Sequence, residues 1–266
     1  MKALSPYQVA TLRIFSAGLV LIPVAIKHFK KIPPHKLGYV LLSGLLGSFF
    51  PAFLFCLAET KIDSSLGGFL NALTPIFTIV TGLLFFQQMF QRHKLAGVLI
   101  GLAGMLVLLL AKGSISFQYL SYAAFALVAT ILYGFNINMV SRHLAATGSL
   151  AVVAVGMVML LIPCCIILWI TGYFDLPLAQ KNVLLSTGAS ALLGMMGTAV
   201  ATILFYVLIK RAGGLFASMV TYGIPFIALF WGLLAGERIN GWQVLGLGVI
   251  LCGVYITTRL KQEVLK

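Results

Sequence analysis

Charged residues are scarce in this sequence. Only 9% of its 266 residues are Asp, Glu, Lys or Arg, and five of them are acidic, whereas ordinary soluble domains contain about 25% charged residues. A soluble domain is thereby excluded. The net charge is +13, but nucleic-acid binding is also excluded because there is no soluble basic domain to carry it out.

Residues for enzymatic or ATP-driven chemistry are few as well. The four histidines lie in or beside the segments between apolar runs, and the four cysteines lack metal-ligand spacing. No GxxxxGK(S/T) motif for nucleotide phosphates is present, and no apolar run combines Ser with His or contains a pair of acids. We therefore expect no enzyme activity, no metal, no cofactor and no direct use of ATP.

Long apolar runs dominate the chain instead. Hydrophobic residues make up 61% of it and the mean hydropathy is +1.08. The runs are continuous rather than alternating, which excludes a membrane β-barrel. Because a helix needs about 20 apolar residues to cross a bilayer, we predict an all-α integral membrane protein. The nine predicted spans are residues 6–26, 37–57, 65–86, 93–111, 118–140, 150–170, 182–209, 215–235 and 242–258.

Basic residues are divided unevenly between alternate loops. One set of loops, with the C-terminal tail, contains twelve: Lys27, Lys30, Lys31, Lys36, Arg92, Lys94, Arg142, Lys210, Arg211, Arg259, Lys261 and Lys266. The other set contains five, Lys2, Lys61, Lys112, Lys181 and Arg238, and four of the five acids, Glu59, Asp63, Asp175 and Glu237. By the positive-inside rule the first set is cytoplasmic. We expect an inner or plasma membrane protein with its C-terminus inside and its first residue outside.

A segment around Pro75 recurs around Pro225, 150 residues later. The residues that recur at this spacing are Phe55, Pro75, Gly82, Leu83 and Leu84, as Phe205, Pro225, Gly232, Leu233 and Leu234. Gly97 and Gly104 recur one register over, as Gly246 and Gly253. The flanking charges place the two copies in opposite orientations across the membrane, which is typical of inverted-repeat transporters.

This repeat pairs the first four spans with the last four and leaves the fifth span without a mate. An inverted repeat needs an odd number of helices per copy, so we expect a further helix of about 25 to 30 residues before Met1. The predicted domains are a first repeat of four helices at residues 1–111, a second repeat of five helices at 118–258, and a cytoplasmic tail at 259–266.

Three segments carry a family resemblance: SPYQVATLRIFSAGLVLIP at 5–23, SLGGFLNALTPIFTIVTGLLF at 65–85, and GLFASMVTYGIPFIALFWGLLAGERINGWQVLGLGVILCGVYI at 214–256. They resemble the EamA branch of the drug/metabolite transporter superfamily. The resemblance implies ten helices in two inverted five-helix repeats, here without the first helix, and the export of amino acids or other small metabolites. The acidic residue that closes the family's motif helix matches Glu237 in the second copy, but Gln87 stands in its place in the first.

Arg13 is the one ionisable residue that we place inside a span. Such residues are costly in a bilayer and are candidates for function by default. Arg13 also resembles an arginine that is common in the family's second helix. Two interpretations stay open: direct handling of substrate or ion, or an interfacial or buried arginine bonded to carbonyl groups or to Glu59.

Several spans have polar faces that predict a pathway for a solute. The strongest candidates are Asn71, Thr74, Tyr133, Asn136, Thr202, Tyr206 and Tyr222, with Thr78, Thr81, Asn138, Thr198, Ser218 and Thr221 near them in sequence. Close packing between helices is the alternative, and the two asparagines of span five could instead bond lipid headgroups or cap the helix. Pro51, Pro75 and Pro225 are candidate kinks or gates because proline frees a backbone carbonyl group.

Together these features predict a secondary transporter that works by alternating access between its two repeats. A cavity of aromatic and amide groups suits zwitterionic or weakly polar solutes. The expected partners are a small-molecule substrate and the lipid bilayer, with a homodimer as an assembly to test. The alternatives are a sugar-phosphate or nucleotide-sugar exchanger, a drug efflux carrier, a channel, or a membrane enzyme.

Overall fold

A computed structural model describes residues 3–89, 91–111, 119–234 and 240–259. Within these ranges every regular element is a helix, and nine helices are long and apolar enough to cross a membrane. The all-α class and the nine spans are therefore confirmed. The spans, numbered 1 to 9, are Pro6–Lys31, Pro34–Ala58, Ser64–Phe86, Arg92–Ala111, Ser121–His143, Ser149–Ile170, Lys181–Ala212, Gly214–Trp231 and Gly241–Thr258.

Some predicted features lie outside the described residues: the beginning of span 5 at Gln118, the end of span 8 at Ala235, and the acidic residue Glu237. The same holds for Met1, for the tail beyond Arg259, and for five of the basic residues used for sidedness: Lys2, Lys112, Arg238, Lys261 and Lys266.

Span 1 begins with a capping box, in which the Ser5 side chain accepts a hydrogen bond from the Gln8 backbone N–H and the Gln8 side chain accepts one from the Ser5 backbone N–H. A polar helix start thus follows directly from the sequence Ser-Pro-Tyr-Gln.

Several spans are not single regular α-helices. Span 2 consists of helices Leu37–Gly44 and Phe50–Ala58 joined by a wider π-helical turn, Leu45–Phe49. Span 7 has the same construction, with Lys181–Leu192 and Ala201–Ala212 joined by Leu193–Val200. Span 6 is made of Ser149–Met159 and Leu161–Ile170. The remaining regular spans contain helices Pro6–His28, Arg92–Ala111, Leu120–His143 and Gly241–Arg259.

The chain forms two compact units. The first unit, Met1–Thr60 with Met139–Arg211, contains spans 1, 2, 6 and 7. In it, span 1 packs along span 6 in an antiparallel direction: the Gln8 side-chain amide donates to the Thr171 carbonyl oxygen at 2.9 Å, and Gly18 meets the Met157 backbone further along. Span 1 also contacts span 7, where the Ser16 hydroxyl donates to the Ala191 carbonyl oxygen at 3.1 Å.

The second unit, Lys61–Asn138 with Ala212–Lys266, contains spans 3, 4, 8 and 9 and most of span 5. Its most extensive helix pair is span 4 with span 9. A Cβ atom on Gly97 would lie 2.7 Å from the Gly253 carbonyl oxygen, and one on Gly104 would lie 2.7 Å from that of Gly246. The two backbones are therefore in direct contact, as is common where small residues line membrane helices.

The internal symmetry predicted from the repeat is visible in these contacts. In the repeat, Gly97 corresponds to Gly246 and Gly104 corresponds to Gly253. In the structure, Gly97 contacts Gly253. Exchanging the two copies turns this contact into that of Gly246 with Gly104, which the structure also contains. The π-helical turns of spans 2 and 7 also lie at matching positions. These pairs support an inverted duplication. The division at residues 1–111 and 118–258 stays a prediction, and each compact unit draws helices from both predicted repeats.

Candidate functional site

Spans 3 and 8 are both interrupted near their middle, at positions that correspond in the repeat. In span 3 helix Ser64–Asn71 ends, two turn residues follow, and helix Thr74–Phe86 begins. In span 8 a short helix, Gly214–Ser218, leads through a 3-10 segment, Met219–Gly223, into helix Ile224–Leu234. Discontinuous helices in matching positions are typical of transporter substrate sites.

The three predicted gate prolines all lie in the first turn of a new helical segment. Pro75 is the second residue of Thr74–Phe86, Pro51 is the second residue of Phe50–Ala58, and Pro225 is the second residue of Ile224–Leu234. Proline is tolerated there because the first amides of a helix have no partner within it. Whether these breaks act as gates stays a prediction.

Asn71 and Thr74 meet at the break in span 3. Pro75 has no N–H to donate to the Asn71 carbonyl oxygen, and the Thr74 hydroxyl donates to that oxygen instead, at 2.6 Å. The same hydroxyl lies 3.4 Å from the Asn71 side-chain oxygen. Thr74 is buried and Asn71 is half-buried. The hydroxyl of Thr74 therefore stabilises the break, whereas the carboxamide of Asn71 borders it.

The two breaks share one hydrophobic core in the second unit. Ala72, within the first break, packs in the same cluster as Met219 and Tyr222, within the second. Tyr222 is buried, and its hydroxyl donates to the Val98 carbonyl oxygen at 2.8 Å. Its ring lies against Gly101, where a Cβ atom would be 2.9 Å from Cδ2. In this conformation Tyr222 joins span 8 to span 4, and its contact with a solute stays a prediction.

Asn138 is a residue that sequence reasoning undervalued. It is 1% exposed, and its side-chain amide donates to the carbonyl oxygen of Thr78 at 2.7 Å and to the hydroxyl of Thr81 at 2.9 Å. Next to it, a Cβ atom on Gly134 would lie 2.6 Å from the Phe77 carbonyl carbon. Span 5 is thus attached to span 3 through a backbone contact and an asparagine. The signal in the sequence was an amide inside an apolar run, with a glycine one turn before it.

Tyr133 and Asn136 lie on sides of span 5 other than the side that carries Gly134 and Asn138. A helix turns by about 100° per residue, so Asn136 projects roughly opposite to Gly134, which faces span 3. Asn136 is buried and Tyr133 is half-buried, and each makes further contacts. The structure assigns both residues to the second unit with Asn71, Thr74 and Tyr222. Their role as lining of a pathway stays a prediction.

Arg13 lies in the first unit beside Cys56 and Glu59. Its guanidinium group hydrogen-bonds the Cys56 thiol, and its Nε atom is buried with no hydrogen-bond partner among the described residues. Glu59 follows the end of span 2. Although part of its side chain is accessible, burial raises the pKa of the Glu59 carboxyl group, and the positive charge of Arg13 partly offsets that rise. The alternative that couples Arg13 to Glu59 is therefore compatible with this geometry.

Thr202 and Tyr206 also lie in the first unit. Tyr206 is 2% exposed, and its hydroxyl donates to the Ser43 carbonyl oxygen at 3.4 Å, which links span 7 to span 2. Thr202 is half-buried. One turn earlier, in the π-helical turn, Thr198 is buried, and its hydroxyl has no hydrogen-bond partner among the described residues. Membrane hydroxyl groups usually bond their own helix, and within the described part of the chain the hydroxyl of Thr198 does not.

A cavity of about 140 Å³ lies in the second unit. Residues of spans 3, 4, 8 and 9 line it, and it is partly open. Most of its lining is apolar. The lining residues are Ser64, Ser65, Gly68, Phe69, Met105, Leu108, Leu109, Ile224, Pro225, Ala228, Leu229 and Gln243.

Interrupted helices at matching positions of a helical membrane protein are typical of transporter folds. The model of the EamA-like transporter family matches residues 1–110 and 120–259. This chain belongs to the EamA-like transporter family, as the resemblance in its sequence implied.

Named relatives agree with this assignment. The chain is 25% identical to an uncharacterized transporter of Archaeoglobus fulgidus, over 97% of this chain and 91% of the relative. It is 23% identical to an uncharacterized transporter of Clostridium kluyveri, over 96% and 84%. It is 25% identical to a probable amino-acid metabolite efflux pump of Salmonella typhimurium, over 77% and 71%.

The fold is similar to that of a solved crystal structure. The TM-score is 0.74 at 19% identity, with 99% of this chain and 91% of the other chain covered. This likeness concerns the fold alone. It places the helices of this multi-pass membrane protein in a known arrangement.

Proposed function

We propose that this protein is a secondary transporter, not driven by ATP, that exports amino acids or related small polar metabolites by alternating access. The observation that carries the proposal is the pair of broken helices, spans 3 and 8, at matching positions of the two inverted halves. The efflux pump of Salmonella typhimurium, which is 25% identical over 217 residues, supports the direction of transport and the solute class.

The proposed contact with the solute is made by Asn71 at the break in span 3. Its carboxamide has both donors and an acceptor, which suits the ammonium and carboxylate groups of a zwitterion. Asn71 is half-buried rather than fully enclosed, so a solute atom has access to it. Behind it, the Thr74 hydroxyl donates to the Asn71 carbonyl oxygen in place of the amide that Pro75 lacks.

Asn71→Ala is expected to weaken transport about fivefold, because one net hydrogen bond of about 1 kcal/mol is lost. The measurement is saturable uptake and counterflow of radiolabelled amino acids in ATP-free proteoliposomes. Asn182→Ala is the matched control, since Asn182 is exposed at the start of span 7. Unchanged transport with less folded Asn71→Ala protein would make Asn71 a packing residue. Conductance without saturation in the wild type would indicate a channel instead.

Sidedness is tested separately. The distribution of twelve basic residues against five leads us to expect the positions of Lys30 and Arg142 in the cytoplasm and those of Lys61 and Asp175 outside. Single cysteines at these four positions, in a background without the native cysteines, are to be treated with an impermeant thiol reagent in sealed cells. We expect labelling at 61 and 175 only. Labelling of a cysteine at position 142 would contradict the proposed topology.

A further inference from the structure

The cavity of the second unit has a polar end and an apolar body. Ser64 and Ser65 begin span 3, and Gln243 lies in the first turn of span 9, so these three polar side chains lie at the same side of the membrane. The Gln243 side-chain oxygen accepts the Asn240 backbone N–H at 2.9 Å, which holds that side chain in place. Among the described residues that line the cavity, none carries a charge.

The volume of the cavity limits the group that can enter it. At about 140 Å³ it is close to the cavity of about 150 Å³, lined by aliphatic and aromatic side chains, that accommodates benzene in a small soluble protein. A phenyl or branched butyl group therefore fits. An ionic group would lose its hydration without gaining a counter-charge and is disfavoured.

The cavity lies next to both helix breaks. Two lining residues flank the breaks. Phe69 lies one helical turn before the break of span 3, which begins at Ala72, and Pro225 lies in the first turn after the break of span 8. Met105 lines the cavity and also belongs to the core cluster that contains Ala72 and Tyr222. The cavity is thus continuous with the packing around the proposed solute site.

We infer that this cavity receives the uncharged apolar group of the transported solute, and that it selects solutes with an apolar group of about the size of a leucine or phenylalanine side chain. The inference rests on the proposed transport function. According to this inference, the lining residues of spans 3, 4, 8 and 9 select the solute by the size of its apolar group, whereas the helix breaks bind its polar groups. The polar ends of such a solute would meet Asn71 or the serine and glutamine side chains.

Gly68 offers a way to fill the cavity without disturbing the helices. No atom lies within 4 Å of the position that a Cβ atom would take on Gly68. Leucine is also a better helix former than glycine. Gly248→Leu is the matched control, because Gly248 lies in span 9 of the same unit and its Cβ position is equally free of neighbours.

The experiment measures competition against radiolabelled leucine uptake in proteoliposomes by unlabelled glycine, alanine, valine, leucine and phenylalanine. In the wild type and in Gly248→Leu, apparent affinity is expected to rise about fourfold per buried methylene group. In Gly68→Leu the apparent affinity for leucine and phenylalanine is expected to fall at least about tenfold, while that for alanine stays within about twofold, because only the larger groups would occupy the filled space.

The possible results separate the two proposals. If the wild type transports none of these amino acids, the proposed function is wrong. If it transports them with an affinity that does not depend on side-chain size, only the cavity inference is wrong. Equal loss for all five solutes in folded Gly68→Leu would also overturn the inference. If size-exclusion chromatography shows that Gly68→Leu does not fold, Ala228→Leu replaces it and fills the cavity from span 8. The dependence of wild-type affinity on side-chain size tests the cavity inference without any variant.

Discussion

Gly97→Leu is expected to lower the stability and the yield of folded protein in detergent extracts sharply. The new side chain would meet the carbonyl oxygen of Gly253, 2.7 Å from its Cβ position, and the backbone nitrogen of Thr257 at 2.9 Å. Overpacking in a well-packed core destabilises a protein by about 1 to 3 kcal/mol. The opposing atoms here belong to the backbone and cannot change rotamer, so we expect at least about 3 kcal/mol, a loss of more than about a hundredfold in the ratio of folded to unfolded protein.

The measurement is the monodisperse fraction in size-exclusion chromatography together with the thermal midpoint of unfolding. Gly248→Leu in span 9 introduces the same side chain where no atom lies within 4 Å of the Cβ position, and it is expected to behave like the wild type. A stable, monodisperse Gly97→Leu protein would mean that spans 4 and 9 do not meet through their backbones.

Gly134→Leu is expected to have an effect of similar size by separating span 5 from span 3. Its Cβ atom would lie 2.6 Å from the Phe77 carbonyl carbon and 2.8 Å from the Thr78 nitrogen. Moving the helices apart would also break the hydrogen bonds that Asn138 donates to Thr78 and Thr81. Transport should be lost with the fold, because span 3 contains one of the two breaks.

Asn138→Ala separates the two parts of this contact. The substitution removes the hydrogen bonds but leaves the close approach of the two backbones intact. Because a hydrogen bond between membrane helices contributes roughly 0.6 to 1.7 kcal/mol, we expect a moderate fall in thermal stability. Ala124→Leu, at an exposed position of the same helix, serves as the control for Gly134→Leu. Normal stability of Gly134→Leu would contradict the contact, and a larger loss in Asn138→Ala than in Gly134→Leu would assign the main role to the asparagine.

The glycines that revealed the duplication also pack directly against one another. In the sequence, Gly97, Gly104, Gly246 and Gly253 were only markers of a repeat. In the structure Gly97 faces Gly253, and Gly104 faces Gly246. A glycine that faces a backbone in one copy faces a backbone in the other, because an exchange of the two copies reproduces the same contact. The expected instability of Gly97→Leu therefore tests the symmetry as well as the packing.

The sequence by itself determined the class, the number of described spans and the family. An apolar run of about 20 residues has one stable conformation in lipid, since only a helix satisfies its own backbone there. This requirement is local, so it can be predicted run by run. The order of Pro75, Gly82 and their later counterparts Pro225 and Gly232 likewise needed no tertiary information.

Tertiary structure decided which residues meet. Asn136 and Asn138 are two residues apart in one apolar run, yet only the structure shows that Asn138 bonds span 3. It also placed the break of span 3 just before Pro75 and that of span 8 over the whole stretch Met219–Gly223, and it distributed the predicted pathway residues over two compact units. Length and hydropathy report how each segment interacts with its solvent. The partner of a helix depends instead on the fit between surfaces far apart in the chain, and a single sequence does not contain that fit in any local pattern.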